Sequence, residues 1–186
     1  MRTNHLQLLR FFSILLLSSA LLFSTSCKKD SDEDPDNEQE LITTVILTFT
    51  GGGTTITAVA RDLDGDGGNP PVVDNITLAA NTDYALTVAF LDESDPTDVE
   101  DITEEVLEEA DEHLVCFVAT GAMPKPTIQD TDDDGKPLGL VSTLRTGAAG
   151  NGTLRVTLKH EPDKNAADPC ATGDTDVEQT FSVRVQ

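Results

Sequence analysis

From residue 41 to the carboxyl end, apolar and polar positions alternate along the chain with a period of two. The alternation is clearest in four segments, at 45–49, 86–90, 154–158 and 181–185. This pattern is typical of strands that turn one face to a core and the other to solvent. We therefore predict half-buried strands at these positions.

Weaker strand candidates and turn-forming stretches fill the rest of this region. The strand candidates lie at 54–61, 72–78, 114–119, 127–129 and 140–145. The turn stretches are GGG at 51–53, GDGGNPP at 65–71, DDDG at 132–135 and GAAGNG at 147–152. Short strands separated by turns at this spacing predict an all-β fold, an antiparallel Greek-key β-sandwich of Ig-like type, over residues 41–186.

One segment, 99–110, departs from the period of two. Its apolar residues follow the spacing of a helical stripe and are Val99, Ile102, Val106, Leu107 and Ala110. Thr97 and Glu100 have the spacing of a capping box at the start of such a helix. The sequence therefore predicts one short acidic helix inserted between strands.

The amino-terminal segment is typical of an exported protein. Arg2 and Arg10 accompany an apolar run, FFSILLLSSALLF at 11–23, that is too short to span a bilayer comfortably as a helix. Small residues follow at 24–26, directly before Cys27. The pattern predicts a signal peptide over 1–26 and, by its similarity to bacterial lipoprotein signals, lipidation of Cys27. Ser24 stands where these signals commonly have leucine. The alternative is an ordinary secreted protein, cut at Ser24-Thr25-Ser26 and left unlipidated.

Acidic residues dominate the charge of the chain. It has 34 acidic and 12 basic residues and a formal net charge of -22. Seven of the acids follow Cys27 within 27–40, where mutual repulsion and Pro35 favour an extended, solvated tether. A chain of this charge repels nucleic acid and anionic lipid headgroups. We therefore expect no nucleic-acid partner, and we expect membrane contact through the lipid anchor.

Cys116 and Cys170 are the other two cysteines of the chain. In an exported protein two cysteines pair more often than they stay free, so the sequence favours a disulfide between them. Cys116 lies in the strand-like LVCFV and Cys170 in a loop, which leaves the geometry open. Two free thiols are the alternative.

The sequence contains no recognisable catalytic motif. It has no G-x-S-x-G elbow, no H-E-x-x-H, no phosphate loop and no C-x-x-C. Two histidines, His113 and His160, follow the signal segment, and neither has a recognisable catalytic setting. Tryptophan is absent and Tyr84 is the single tyrosine, which disfavours sugar binding by ring stacking. We predict that the protein is not an enzyme, and a protein or glycan partner stays open.

Two stretches match D-x-D-x-D-G, a spacing that lets three carboxylates converge on one hard cation. Their acidic residues are Asp62, Asp64 and Asp66 in the first and Asp130, Asp132 and Asp134 in the second. Neither stretch has a glutamate at the twelfth position, where Val73 and Val141 stand. The spacing predicts calcium-stapled turns between strands, and turns selected for their geometry alone are the alternative.

Several stretches resemble an uncharacterised group of small Gram-negative bacterial lipoproteins. They are ELITTVILTFT at 40–50, RDLDGDGGNPPV at 61–72, EDITEEVLEEADEH at 100–113, TGAAGNGTLRVTLKHEPDKN at 146–165 and GDTDVEQTF at 173–181. Members of that group are sometimes labelled type 1 periplasmic-binding-fold proteins. That fold needs two α/β lobes, whereas the period of two in this chain predicts a sandwich. The resemblance brings no catalytic residues with it.

The start of the tether, CKKD at 27–30, also resembles a signal that sends some lipoproteins to the outer cell surface. Together these features predict a cell-envelope lipoprotein of the outer membrane, exposed at the cell surface or facing the periplasm. We expect it to act as a non-catalytic binding or adhesion module. The alternative is a structural component of an envelope assembly without a ligand of its own.

Overall fold

A computed structural model describes residues 41–64 and 68–186. The predicted signal peptide, Cys27, the tether and Asp66 lie outside these residues. No helix in the described part of the chain combines the length and the hydrophobicity that crossing a membrane requires.

The described residues form ten strands and one α-helix. The strands are β1 (Thr44–Gly51), β2 (Thr54–Arg61), β3 (Val72–Val73), β4 (Ile76–Leu78), β5 (Asp83–Leu91), β6 (His113–Gly121), β7 (Thr127–Ile128), β8 (Val141–Arg145), β9 (Gly150–His160) and β10 (Asp174–Val185). The helix α1 (Ile102–Glu108) lies between β5 and β6, and a 3₁₀ turn (Pro169–Ala171) precedes β10.

The strands form two sheets. One has six strands in the order β3-β2-β1-β5-β8-β7, and the other has four in the order β4-β10-β9-β6. Neighbouring strands are antiparallel except for β4 and β10, which run parallel. The predicted all-β sandwich is confirmed, and the parallel pair at one sheet edge is a departure from the antiparallel pattern.

The core lies between the sheets and is built from the alternating apolar positions. In the six-stranded sheet, Leu47 of β1 is opposite Val88 of β5, and both are buried. In the four-stranded sheet, Val115 of β6 is opposite Leu158 of β9, and both are buried. Burying a large apolar side chain of this kind contributes roughly 1.5–3 kcal/mol, so the period of two is the main source of the fold's stability.

The segment predicted as one strand at 72–78 forms two strands in different sheets. Val73 in β3 pairs with Ala60 of β2, whereas Ile76 in β4 pairs with Val183 of β10. Asp74 and Asn75 separate them, and Oδ2 of Asp74 accepts a hydrogen bond from the backbone N–H of Val59 at 3.0 Å. This bond fastens Asp74 to the six-stranded sheet at the point where the chain leaves it.

Helix α1 is shorter than the predicted 99–110. Glu100 forms an antiparallel bridge with Asp92, which holds the chain extended up to that residue. The capping residue is Asp101, whose side chain accepts the N–H of Thr103 at 3.1 Å. The predicted capping box is therefore wrong, because Thr97 lies in the preceding turn.

The apolar stripe of the helix is also narrower than predicted. Ile102 and Val106 are buried against the core, whereas Val99 and Leu107 are 51% and 61% exposed. Val99 precedes the helix, and Leu107 lies on its outer side. A seven-residue helix with two buried anchors is held by packing rather than by its own helical propensity.

Candidate functional site

The structure joins Cys116 to Cys170 in a disulfide, the pairing that the sequence favours. The Cα atoms are 5.9 Å apart, and 54 residues separate the two cysteines in sequence. Cys116 alternates with the core residues Val115 and Phe117 on the edge strand β6, so it faces away from the core. The bond ties the exposed loop that carries Cys170 to the four-stranded sheet.

The first Asp-rich stretch begins directly after β2. Oδ2 of Asp64 accepts hydrogen bonds from the backbone N–H of Asn69 at 2.9 Å and from its side-chain amide at 2.6 Å. These bonds lower the pKa of Asp64, with the backbone bond as the largest cause. Asp62 is half-buried, and its N–H donates to Thr43 O at 2.8 Å. Asp64 therefore closes a local turn in the described structure.

The second Asp-rich stretch follows β7 and uses its carboxylates to fasten its own backbone. Asp130 accepts the N–H of Gly139 on Oδ1 at 2.9 Å and the N–H of Val141 on Oδ2 at 3.0 Å. Asp132 accepts the N–H of Asp134 at 3.1 Å and the N–H of Lys136 at 2.7 Å, both on Oδ1. We refer to residues 130–136 as the aspartate turn.

A lysine ammonium contacts the remaining oxygen of Asp132. Nζ of Lys164 donates to Asp132 Oδ2 at 2.9 Å and to the carbonyl of Ala110 at 2.6 Å. The two side chains are 6% and 2% exposed. Burial by itself raises the pKa of Asp132, but the hydrogen bonds from Lys164 and from the N–H of Lys136 outweigh it and lower that pKa. The ammonium therefore contacts one of the carboxylates that the sequence analysis assigned to calcium.

Three other side chains bring possible metal ligands together in the described part of the chain. They are His113, His160 and Asp176, and one ligand atom from each lies within 4.8 Å of the others. His113 is the first residue of β6 and His160 the last of β9, and the two are directly opposite each other. Both continue the core face of their strands. We refer to these three residues as the histidine cluster; Asp130, Asp132 and Asp134 form no such group.

A β-bulge in β10 brings Asp176 into the histidine cluster. Thr175 pairs with Lys159 and Val177 pairs with Leu158, so Asp176 is the extra residue between them. Bulges re-aim a side chain relative to strict alternation. The side chain of Asp176 is fully buried, and its Oδ1 lies 3.7 Å from Nδ1 of His160.

A backbone carbonyl at the end of α1 orients His113. The two rings are stacked, with centroids 4.8 Å apart and an interplanar angle of 20°. Nδ1 of His113 lies 3.1 Å from the carbonyl oxygen of Glu109. Because a carbonyl only accepts, this nitrogen carries the proton, and in the neutral ring Nε2 keeps its lone pair. On the other side, Oε2 of Glu112 lies 3.9 Å from Nε2 of His160.

Sequence reasoning noted both histidines but did not connect them. One signal was present, since each histidine falls in phase with the buried residues of its strand. Placing them side by side requires the register of β6 against β9, which the sequence does not give. Asp176 was missed for a different reason. Strict alternation from the buried Phe181 assigns position 176 to the outer face, and the bulge reverses that assignment.

The outer face of the six-stranded sheet forms an uncharged surface. Its middle rows carry small and β-branched residues, namely Thr48, Thr50, Thr55, Thr57, Ala85, Thr87, Thr127, Val141 and Thr143. All of them are exposed except Thr48, which is half-buried. Two ion pairs, Arg61 with Glu93 and Arg145 with Asp83, border these rows at opposite ends of the strands. We refer to these rows as the threonine face.

Comparison of the chain with protein-family models, with curated proteins and with solved structures gives no match. The resemblance to small Gram-negative lipoproteins, and the outer-membrane location that it implies, therefore stay predictions. The function has to be inferred from the residues of the chain itself.

Proposed function

We propose that this chain is a lipid-anchored protein of the Gram-negative outer membrane whose β-sandwich binds a partner protein without catalysing a reaction. The observation that carries the binding role is the threonine face. It is a broad uncharged surface on a chain whose formal net charge is -22. A chain this acidic has few regions where a partner can dock without meeting carboxylates.

The location rests on the signal-like segment, on Cys27 and on the acidic tether. The disulfide between Cys116 and Cys170 supports export, because such bonds persist in oxidising compartments and are rare in the cytosol. In this proposal the lipid on Cys27 holds the chain in the outer membrane. The tether keeps the sandwich clear of the lipid surface.

The partner that fits the threonine face is a protein with an uncharged polar surface. The centres of protein interfaces are depleted of charged residues. Threonine hydroxyls both donate and accept hydrogen bonds, and β-branched side chains have little rotamer freedom to lose on binding. The acidic surface elsewhere repels anionic partners and favours docking in this one orientation.

A pair of arginine variants tests the binding surface. Thr87→Arg places a charge in the middle of the threonine face, and Ser182→Arg places the same charge on the exposed outer face of β10. Affinity capture from surface-labelled cells should recover a protein with the parent and with Ser182→Arg but not with Thr87→Arg. Equal capture by both variants, or capture of a glycan in place of a protein, would contradict the proposal.

The anchor has its own test. Cys27→Ser should move the protein from the membrane fraction to the soluble fraction and abolish labelling by a fatty-acid analogue. Unchanged membrane association in this variant would contradict the proposed lipid anchor on Cys27. The rival function, a structural component of an envelope assembly, would show as stable co-purifying proteins whose capture does not depend on Thr87.

A further inference from the structure

We propose that the histidine cluster is a binding site for a transition-metal ion of the zinc class. The ligands are Nε2 of His113, a ring nitrogen of His160 and a carboxylate oxygen of Asp176. Water would complete a four-coordinate site. The site lies at one end of the four-stranded sheet, whereas the threonine face belongs to the six-stranded sheet. The metal proposal therefore does not depend on the partner proposed for the threonine face.

The donor set selects the class of metal. Imidazole nitrogens suit zinc, copper and nickel, whereas calcium and magnesium take oxygen ligands. Two histidines with one carboxylate are a common ligand set of protein zinc sites. The histidine cluster therefore differs in kind from the calcium turns predicted from the Asp-rich stretches.

The spacing of the ligand atoms fits an ion better than a direct bond. Nδ1 of His160 and Oδ1 of Asp176 are 3.7 Å apart, which is longer than a hydrogen bond. Two ligands of a tetrahedral zinc ion with bonds near 2.0–2.1 Å lie about 3.3 Å apart. The 3.7 Å separation is thus within a few tenths of an ångström of the bound geometry.

The hydrogen bond to α1 prepares His113 for this role. Metal-binding histidines usually donate their second ring N–H to a carbonyl or a carboxylate, which fixes the tautomer. In this chain the carbonyl of Glu109 accepts from Nδ1 of His113 at 3.1 Å. The lone pair of this ring is therefore on Nε2, the atom assigned to the metal.

Binding requires the two rings to leave their stacked arrangement. The ligand atoms spread over as much as 4.8 Å, so the largest separation must shrink by about 1.5 Å to reach zinc geometry. Both histidines are at strand ends, His113 opening β6 and His160 closing β9. The required movement is therefore at the end of the sheet and not in its middle.

Glu112 lies beside Nε2 of His160, the ring nitrogen that does not face Asp176. Its side chain is 47% exposed while the side chain of His160 is 6% exposed, so Glu112 borders the cluster on the solvent side. An incoming ion would meet Glu112 before it reached the buried ligands.

The test is a calorimetric titration of zinc into the full chain, without a histidine tag, in detergent. The parent should bind one zinc ion per chain, and millimolar calcium should not compete. Asp176→Asn should weaken zinc affinity by about 100-fold or more, since changes in the second shell alone lower it 10- to 100-fold. The matched control is Asp174→Asn, which changes an exposed residue of the same strand whose register partner is His160. It should bind zinc like the parent.

A second measurement uses the parent alone and stays informative if Asp176→Asn fails to fold. With ¹⁵N-labelled histidine, zinc should shift the ring-nitrogen resonances of His113 and His160 at one equivalent. Unshifted resonances, or zinc binding that Asp176→Asn and Asp174→Asn leave equally strong, would overturn the proposal. The cluster would then be a buried polar contact that only holds the sheet end together.

Discussion

The aspartate turn and the histidine cluster both contact the short segment that follows α1. In the turn the carboxylates accept hydrogen bonds from the protein, whereas in the cluster we propose that a carboxylate binds a metal ion. On one side Lys164 donates to the carbonyl of Ala110 and to Asp132. On the other side His113 donates to the carbonyl of Glu109. The turn matches a metal-binding sequence motif, whereas the cluster matches none.

The difference between the two regions lies in the groups that surround each carboxylate. In the aspartate turn, backbone N–H groups and one ammonium already occupy the oxygens of Asp130 and Asp132. In the cluster, Asp176 faces an imidazole nitrogen at a distance suited to a shared ion. The spacing of acidic residues in the sequence suggests a set of metal ligands. The groups that the fold places beside each carboxylate determine whether it accepts hydrogen bonds or is suited to an ion.

Reducing the disulfide should have the largest effect that distinguishes the aspartate turn from the histidine cluster. Closing a loop of 54 residues stabilises the fold by about 4 kcal/mol in the chain-entropy model. The loop before Cys170 carries Lys164, so reduction should destabilise the protein and loosen the aspartate turn. Zinc affinity should change little, because the cluster residues belong to strands. Equal urea midpoints with and without reductant would contradict this, as would two freely alkylated thiols in the native protein.

Removing Lys164 should destabilise the fold through the aspartate turn and leave the histidine cluster unaffected. Lys164→Met leaves the buried carboxylate of Asp132 without its ammonium, which should lower the free energy of unfolding by about 3 kcal/mol. The control is Lys125→Met, an exposed lysine whose loss should change stability by less than about 0.5 kcal/mol. Urea denaturation measures both, and zinc affinity should stay at the parental level. A loss below about 1 kcal/mol for Lys164→Met would mean that the pair acts like an exposed one.

Low pH should reduce the difference in the free energy of unfolding between the parent and Lys164→Met, which we call the stability gap. The pKa of Asp132 in the folded parent lies below the ordinary value of 3.8. Its charge therefore contributes stability that is present above pH 3.8 and is lost as the pH falls through the folded pKa. We expect the gap at pH 7 to narrow below pH 3.8, measured by denaturation across that range. A constant gap down to pH 2 would assign the effect of Lys164 to packing.

Calcium binding provides a further test of the aspartate turn. A site in the roughly 10⁻⁴ to 10⁻³ M range adds about 2.7 kcal/mol at a hundred times its dissociation constant. An ion at Asp132 must compete with Lys164, so calcium should raise the melting temperature more in Lys164→Met than in the parent. Matched magnesium is the ion control, and Asp64→Ala and Asp132→Ala are the variants that should lose the response. Equal calcium and magnesium shifts in every variant would make both stretches turns only.

The main parts of the fold were predictable because alternation reports directly on burial. Residues 45–49, 86–90, 154–158 and 181–185 all lie in strands of the sandwich. The break at Asp74, the parallel pairing of β4 with β10 and the late start of α1 were not predictable. They depend on which edge is open to pair, and only the assembled sheets determine that.

The candidate site was predictable only in part. The cysteine pairing followed from the count of thiols in an exported chain, without knowledge of geometry. The aspartate motif was visible, but the donor that reaches Asp132 comes from Lys164, 32 residues further along the chain. The histidine cluster needs the register of β6 on β9 and a bulge at Asp176. Neither feature leaves a mark that a single sequence reveals.

The most direct test of the contrast between the two regions is the visible absorption spectrum of the full chain loaded with one equivalent of Co²⁺, which substitutes for zinc and reports its coordination. We expect the intense bands of four-coordinate cobalt in the parent. Asp132→Asn should keep these bands, and Asp176→Asn should lose them. A weak spectrum typical of six-coordinate cobalt in the parent, or bands that vanish with Asp132→Asn and survive Asp176→Asn, would contradict the account.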